Sequence, residues 1–162
     1  MTLPRIFLWG LAIFCVTLPL SAEPLNDVEY ARVNGQSLKL DLHLTTNKGQ
    51  PLLVFVHGGA WRGGTKETPP ILALQKHGFA IASVDYRLTT VAPFPANVHD
   101  IKAAIRFLRA KAPIYGYDAT RIGIIGVSAG GHLAALVGVT NADKALEGEV
   151  GDDLAQDRKS VV

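Results

Sequence analysis

The sequence predicts an α/β architecture, a mostly parallel sheet with helices on both faces. Three features carry that expectation. Leu52–Val56 and residues 79–84 and 122–125 are short, continuous apolar runs, the pattern of strands buried on both sides. Segments of helical spacing alternate with these runs, and strands that alternate with helices pair in parallel. Glycine-rich turns follow the first and third runs, at Gly58-Gly59 and around Gly126 and Gly130.

In chain order, residues 28–33 and 38–44 flank Asn34-Gly35, and the second run alternates apolar with polar, which predicts a β-hairpin at a sheet edge. Leu52–Val56 is the first buried strand. Pro69-Pro70 can open a helix, residues 71–77 continue it and Gly78 stops it. Residues 79–84 form the next strand. Val98, Ile101, Ile105 and Leu108 then recur at helical spacing with Lys102, Arg106 and Arg109 on the other side, and the helix is expected to end before Pro113. Residues 122–125 give another strand and residues 129–139 another helix. There is no internal repeat and no low-complexity linker.

With 162 residues the chain holds one domain, not two. Hydrophobic residues make up 48% and charged residues only 19%, which excludes a disordered or nucleic-acid-coating polypeptide. The formal charge of +2, with Lys and Arg scattered, gives no electrostatic case for nucleic acid or acidic lipid. The first residues differ from the rest. Arg5 precedes an apolar stretch over residues 6–18, and Leu20-Ser21-Ala22 ends in a small residue before Glu23-Pro24. Residues 1–22 are therefore expected to be a secretory signal peptide and the protein secreted or periplasmic. The apolar run falls short of the ~20 residues of a bilayer span. Cys15, the only cysteine, lies within this segment, so stability of the mature chain must come from an apolar core.

The strongest chemical signal is Gly126-Val127-Ser128-Ala129-Gly130, between a buried strand and a helix. A G-x-S-x-G pattern gains meaning from that strand–turn–helix context, where the serine is raised on a strained turn and the glycines remove collisions. The helix N-terminus behind Ser128 favours developing negative charge. The competing reading is a small-residue cap, with the Ser128 hydroxyl bonded to the helix it precedes. A second signal, His57-Gly58-Gly59-Ala60-Trp61, follows the strand ending at Val56. Acyl transfer develops an oxyanion, which needs main-chain N–H donors aimed at it in advance. Gly58 and Gly59 are natural donors there, with the amide of Ala129 as a third. Ligands on open α/β sheets bind at such strand ends.

These two motifs, with Asp85-Tyr86-Arg87-Leu88, Ala92-Pro93-Phe94-Pro95-Ala96 and the extension Gly131-His132, resemble the hormone-sensitive-lipase-like and bacterial feruloyl-esterase-like carboxylesterases. The resemblance spans nearly all of residues 52–139. It implies an α/β-hydrolase fold, ester cleavage without a cofactor, and a Ser–acid–His triad in that chain order. It makes Ser128 the nucleophile and Gly58, Gly59 and Ala129 the oxyanion donors. Lipase-like members often carry a third glycine where Ala60 stands, and Ala60 with Trp61 looks more like the feruloyl-esterase-like branch.

For the remaining polar residues, structural roles are expected. His57 organises the oxyanion loop through bonds to backbone carbonyls, and Asp85 and Arg87 form an ion pair that fixes their loop, with Asp100 an alternative partner for Arg87. His132, one helical turn past Ser128, lies over the helix surface; His43, His77 and His99 are surface histidines. Trp61 is a candidate for the substrate pocket. No residue pair has metal-ligand spacing.

By the family pattern the chain holds an N-terminal portion of the domain, residues 23–156, truncated after the nucleophile helix, with roughly three later strands and the triad acid and histidine beyond it. Residues 157–162, Asp-Arg-Lys-Ser-Val-Val, match the translation of a common sequencing adapter and are expected to be non-native. The expected function is serine hydrolysis of a small-molecule or polysaccharide-linked ester, without metal, cofactor or nucleic acid; the sequence leaves oligomeric state open. Alternatives are a peptidase or arylformamidase-like amide hydrolase on the same fold, or a non-catalytic binding protein.

Overall fold

The computed structural model describes residues 22–141 and 143–154. The expected signal segment, apart from Ala22, and the expected foreign tail lie outside the described residues. The elements are β1 (Leu25–Val33), β2 (Gln36–His43), β3 (Leu52–Val56), a 3-10 helix over Leu72–His77, β4 (Ala80–Val84), α1 (Ala96–Tyr115), β5 (Ile122–Gly126), α2 (Ala129–Val139) and a short α3 (Lys144–Glu147). The strands form one sheet in the order β1-β2-β4-β3-β5. β3 pairs in parallel with β4 and β5, while β2 runs antiparallel to both β1 and β4. Four of the five strands therefore point one way and only β2 opposes them, so the sheet is mostly parallel. This is the α/β architecture expected from the sequence.

Local chemistry accounts for each connection. Asn34 and Gly35 close the β1–β2 hairpin with φ of 50° and 82°. Two successive positive φ values give the turn whose twist matches paired strands, which Asn-Gly adopts at low cost. The helix expected over residues 71–77 is a 3-10 helix instead. Only six residues separate Ile71 from Gly78, too few for a stable α-helical nucleus, and the bonds that form are i→i+3, from Leu74 N to Ile71 O (2.9 Å) and from Gly78 N to Gln75 O (3.0 Å).

On one face of the sheet, Leu40, Leu42, Leu52, Val54, Val56, Ala82 and Val84 meet Val98, Ile101, Ile105 and Leu108 of α1 and Leu133 and Val137 of α2 in a single apolar core. Burying each large aliphatic side chain there contributes about 1.5–3 kcal/mol. The opposite face carries Ile81 and Ser83, fully buried. Ser83 Oγ donates to Lys66 O at 2.6 Å, and Lys66 Nζ sits between Asp41 Oδ1 (2.9 Å) and Asp27 Oδ1 (3.1 Å). The segment after the His57 loop is thereby clamped across β4, β2 and the start of β1.

α1 departs from the expected helix in two ways. It runs through Pro113 to Tyr115. A proline this close to the C-terminus removes one N–H, while Gly116, left-handed at φ 85°, closes the end by donating its N–H to Ala112 O at 2.7 Å. The face carrying Lys102 and Arg106 is also not a solvent face: both residues are buried. Lys102 Nζ bonds Glu147 Oε1 (2.7 Å) and Thr140 O (2.6 Å), and Arg106 bonds the carbonyls of Glu147 and Val150. Removing one member of a buried ionic cluster leaves charge stranded in the interior, so Glu147→Ala is expected to destabilise the protein by about 3–5 kcal/mol. Urea unfolding checks this, and an unchanged midpoint would contradict it.

The turn into β5 rests on Asp118, which accepts from Thr120 N (2.9 Å), Thr120 Oγ1 (2.6 Å) and Arg121 Nε (2.7 Å). The Thr120 hydroxyl, then Arg121, hold its carboxyl down at about 2. A depressed carboxyl stabilises the fold above its unfolded value of 3.8 and loses that contribution as pH falls through about 2. Asp118→Asn should therefore lower Tm at pH 7, and the gap from wild type should be much smaller at pH 2. A gap that is the same at both pH values would refute that linkage.

Candidate active site

β3 and β5 are neighbours in register, Val56 opposite Gly126, so their C-terminal ends deliver two loops to the same place. The loop after β5 is the serine turn. Ser128 has φ 54° and ψ −120°, a conformation that costs about 1–3 kcal/mol outside glycine and persists only where the surroundings impose it. They do so here through glycine. A Cβ on Gly126 would strike the Gly130 carbonyl, and one on Gly130 would strike the Val56 carbonyl and lie 2.5 Å from that of His57. The turn is thus packed backbone against backbone onto the end of β3. The Ser128 side chain is exposed and makes no capping bond to α2, which disposes of the reading of Ser128 as a simple helix cap. Ala129, buried, opens α2, where a first-turn N–H has no carbonyl partner within the helix.

The loop after β3 lies directly against this turn. A Cβ on Gly58 would sit 2.8 Å from Val127 O and 3.4 Å from Ser128 Cβ. Among the described residues, the Gly58 and Gly59 amides donate to no backbone carbonyl. Gly59, Ala60 and Trp61 have φ of 112°, 51° and 59°, three consecutive residues in a region that favours glycine. Gly59 O accepts from Arg62 N and Gly63 N, both at 3.0 Å, and Trp61 O accepts from Thr89 N at 2.9 Å. These bonds hold the strained stretch in place. Ala60 thus occupies a left-handed position that a glycine would fill without strain.

His57 is buried beneath this loop. Its Nδ1 lies 2.7 Å from Gly58 O, its ring stacks on Tyr86 with centroids 4.4 Å apart, and Tyr86 Oη donates to His57 O at 3.1 Å. Burial pushes the Tyr86 hydroxyl up to about 12, which keeps it a donor. The expected pairing of Asp85 with Arg87 is not formed. Arg87 instead grips Asp100, fully buried, through Nε (2.8 Å), Nη2 (2.7 Å) and its own N–H (2.9 Å). Asp85 Oδ1 accepts from Lys66 N at 2.6 Å and lies 3.7 Å from His57 Nε2. Burial raises the Asp85 carboxyl above its ordinary value, against the lowering effect of the Lys66 N–H and of His57. Sequence reasoning missed this contact; its signal was the position of Asp85 at the end of β4, beside β3.

Trp61 and His132 stand edge to face at 5.6 Å and are both exposed, which places the indole over the first turn of α2. His132 lies on the helix surface, as expected from its spacing. His99 does not lie free on the surface: it is half-buried, and its Nε2 is 2.9 Å from Ala145 O. A cleft of about 230 Å³ is walled by His57, Asp85, Tyr86, Leu88 and Val91 among others, but not by Ser128. Among the described residues no group of three or more His, Cys, Asp or Glu is disposed to hold a metal ion.

Comparison with known proteins adds to this geometry. The BD-FAE family model matches residues 40–162. Esterase LipC of Mycobacterium tuberculosis is 36% identical over 115 residues, 68% of this chain and 28% of that protein. Among solved structures, the bifunctional GH43-CE of Bacteroides eggerthii superposes with a TM-score of 0.77 at 36% identity, over 85% of this chain and 20% of that one. A truncated carbohydrate esterase from gut microbiota gives 0.75 at 31% identity, over 88% and 55%. The chain therefore spans little more than a quarter of LipC and about half of the truncated esterase.

Proposed function

The chain belongs to the BD-FAE family of α/β-hydrolases, and on that footing we propose that it is part of a carboxylic ester hydrolase acting through an acyl-enzyme on Ser128. The observation that carries the proposal is the contact of the two loops, with Gly58 against Val127 and Ser128. Ser128 Oγ attacks the ester carbonyl, and the carbonyl oxygen takes up negative charge beside the amides of Gly58, Gly59 and Ala129. Collapse of the adduct expels the alcohol and leaves the acyl group on Ser128; water then releases the acid and frees the serine. Hydrogen-bond donors fixed before the reaction stabilise that charge without reorganisation.

A general base must reach Ser128 Oγ at about 3 Å. His57 is committed to Gly58 O and to the Tyr86 face, and His132 meets Trp61. This supports a base and an acid partner supplied from outside the described residues, in agreement with the small share of LipC that the chain spans. The signal-like first residues and the similarity to a carbohydrate esterase support a substrate outside the cytoplasm, an acyl ester carried on a polysaccharide or its fragments. Labelling of the full-length protein by a fluorophosphonate probe tests the reading: wild type takes up the label and Ser128→Ala does not. A protein that ignores the probe yet binds small acids would be a binding protein instead.

A further inference from the structure

We propose that Asp85 is a positioning residue for the oxyanion loop, acting through the His57 ring on the Gly58–Gly59 peptide; the inference rests on the esterase reading of Ser128. Gly58 O belongs to the Gly58–Gly59 peptide plane, whose N–H, that of Gly59, is a proposed oxyanion donor, and that carbonyl is held by His57 Nδ1 at 2.7 Å. Whatever fixes the imidazole therefore fixes the plane in which the loop presents its amides. One ring face is fixed by the Tyr86 stack. Gly64 lies close against the Nδ1–Cε1 edge of the ring, and Asp85 Oδ1 faces Nε2 at 3.7 Å.

Asp85 is itself held rigidly. Tyr30 Oη donates to its carbonyl at 2.7 Å, and its carboxylate accepts Lys66 N–H at 2.6 Å. Lys66 is in turn anchored by Ser83 through its carbonyl and by Asp41 and Asp27 through its ammonium. The carboxylate thus stands at the end of a chain of fixed groups running back to the sheet, between the histidine and the cleft. Gly58 O can only accept, so Nδ1 donates in that bond, and the Asp85 carboxylate stands across the ring from it, at the Nε2 edge. A loop misplaced by about 1 Å costs up to ~10²-fold in rate.

Asp85→Asn separates this role from plain scaffolding. Asparagine keeps the size and an oxygen for Lys66 N–H but removes the charge that faces His57. In the full-length protein, with rates normalised to active sites titrated by fluorophosphonate, Asp85→Asn is expected to lower kcat about 10-fold or more on p-nitrophenyl acetate while KM changes less than about 2-fold. In a His57→Ala background the same substitution should change kcat by less than about 2-fold, because the intermediary is gone. Wild-type kcat in Asp85→Asn, or an undiminished effect without His57, would overturn the proposal and leave Asp85 a support for Lys66 alone. Ser128→Ala in the same assay reports on the esterase reading separately: if it remained active, that reading would fail whatever Asp85 does.

Discussion

Ser128→Ala in the full-length protein is expected to lower kcat on a p-nitrophenyl ester by at least about 10⁴-fold, since only oxyanion stabilisation and binding would remain. The fold should not suffer. The Ser128 side chain is exposed and caps nothing, so its loss stays within the ±0.5 kcal/mol or so typical of surface changes. The turn is imposed by Gly126 packing on Gly130 and by Gly130 packing on the end of β3, not by the hydroxyl. Parallel measurement of kcat and of thermal unfolding checks both halves. Retained turnover would place the nucleophile elsewhere.

Gly58→Ala carries the second-largest expected effect, a loss of about 10²–10³ in kcat, comparable to losing one oxyanion donor. The added methyl would lie 2.8 Å from Val127 O, in contact with backbone that has no freedom to retreat because Gly130 already packs on Val56 and His57. The loop must therefore move and carry its amides away from Ser128. Gly58 is a half-buried loop residue with no positive φ to lose, so any loss of stability comes from the shift that relieves this contact. KM should hold while kcat falls, because donors aimed at developing charge act in the transition state. A variant with wild-type kcat would show that the loop does not serve Ser128.

Much of this architecture was legible in the sequence, for reasons that differ between elements. β3 is the uninterrupted apolar stretch of a doubly covered strand, and the hairpin follows from Asn34-Gly35; both are local signals with one physical solution. The serine turn was legible because it too is local: strand, glycine, serine, glycine, helix. The partnership of the two loops was expected only from their positions after strands, and the register of Val56 with Gly126 supplies the contact.

What the sequence did not reveal depends on partners far along the chain. Lys102 and Arg106 fall on the helix side opposite its apolar stripe, the usual solvent face, but Glu147 and the carbonyls near it return to cover that side. Arg87 has two candidate acids, and only the packing of α1 beside β4 selects Asp100 over Asp85. That choice frees Asp85 to face His57. The strand order places β2 between β1 and β4, a non-local pairing that periodicity alone does not encode.

The role of Ser128 and the loop facing it is tested most directly by a crystal structure of the full-length protein inhibited by a small phosphonate. Phosphorus is expected to be bonded to Ser128 Oγ, with the phosphoryl oxygen about 2.7–3.1 Å from the amide nitrogens of Gly58, Gly59 and Ala129. An adduct on another residue, or a phosphoryl oxygen turned to solvent away from the loop of His57 and Gly58, would contradict it.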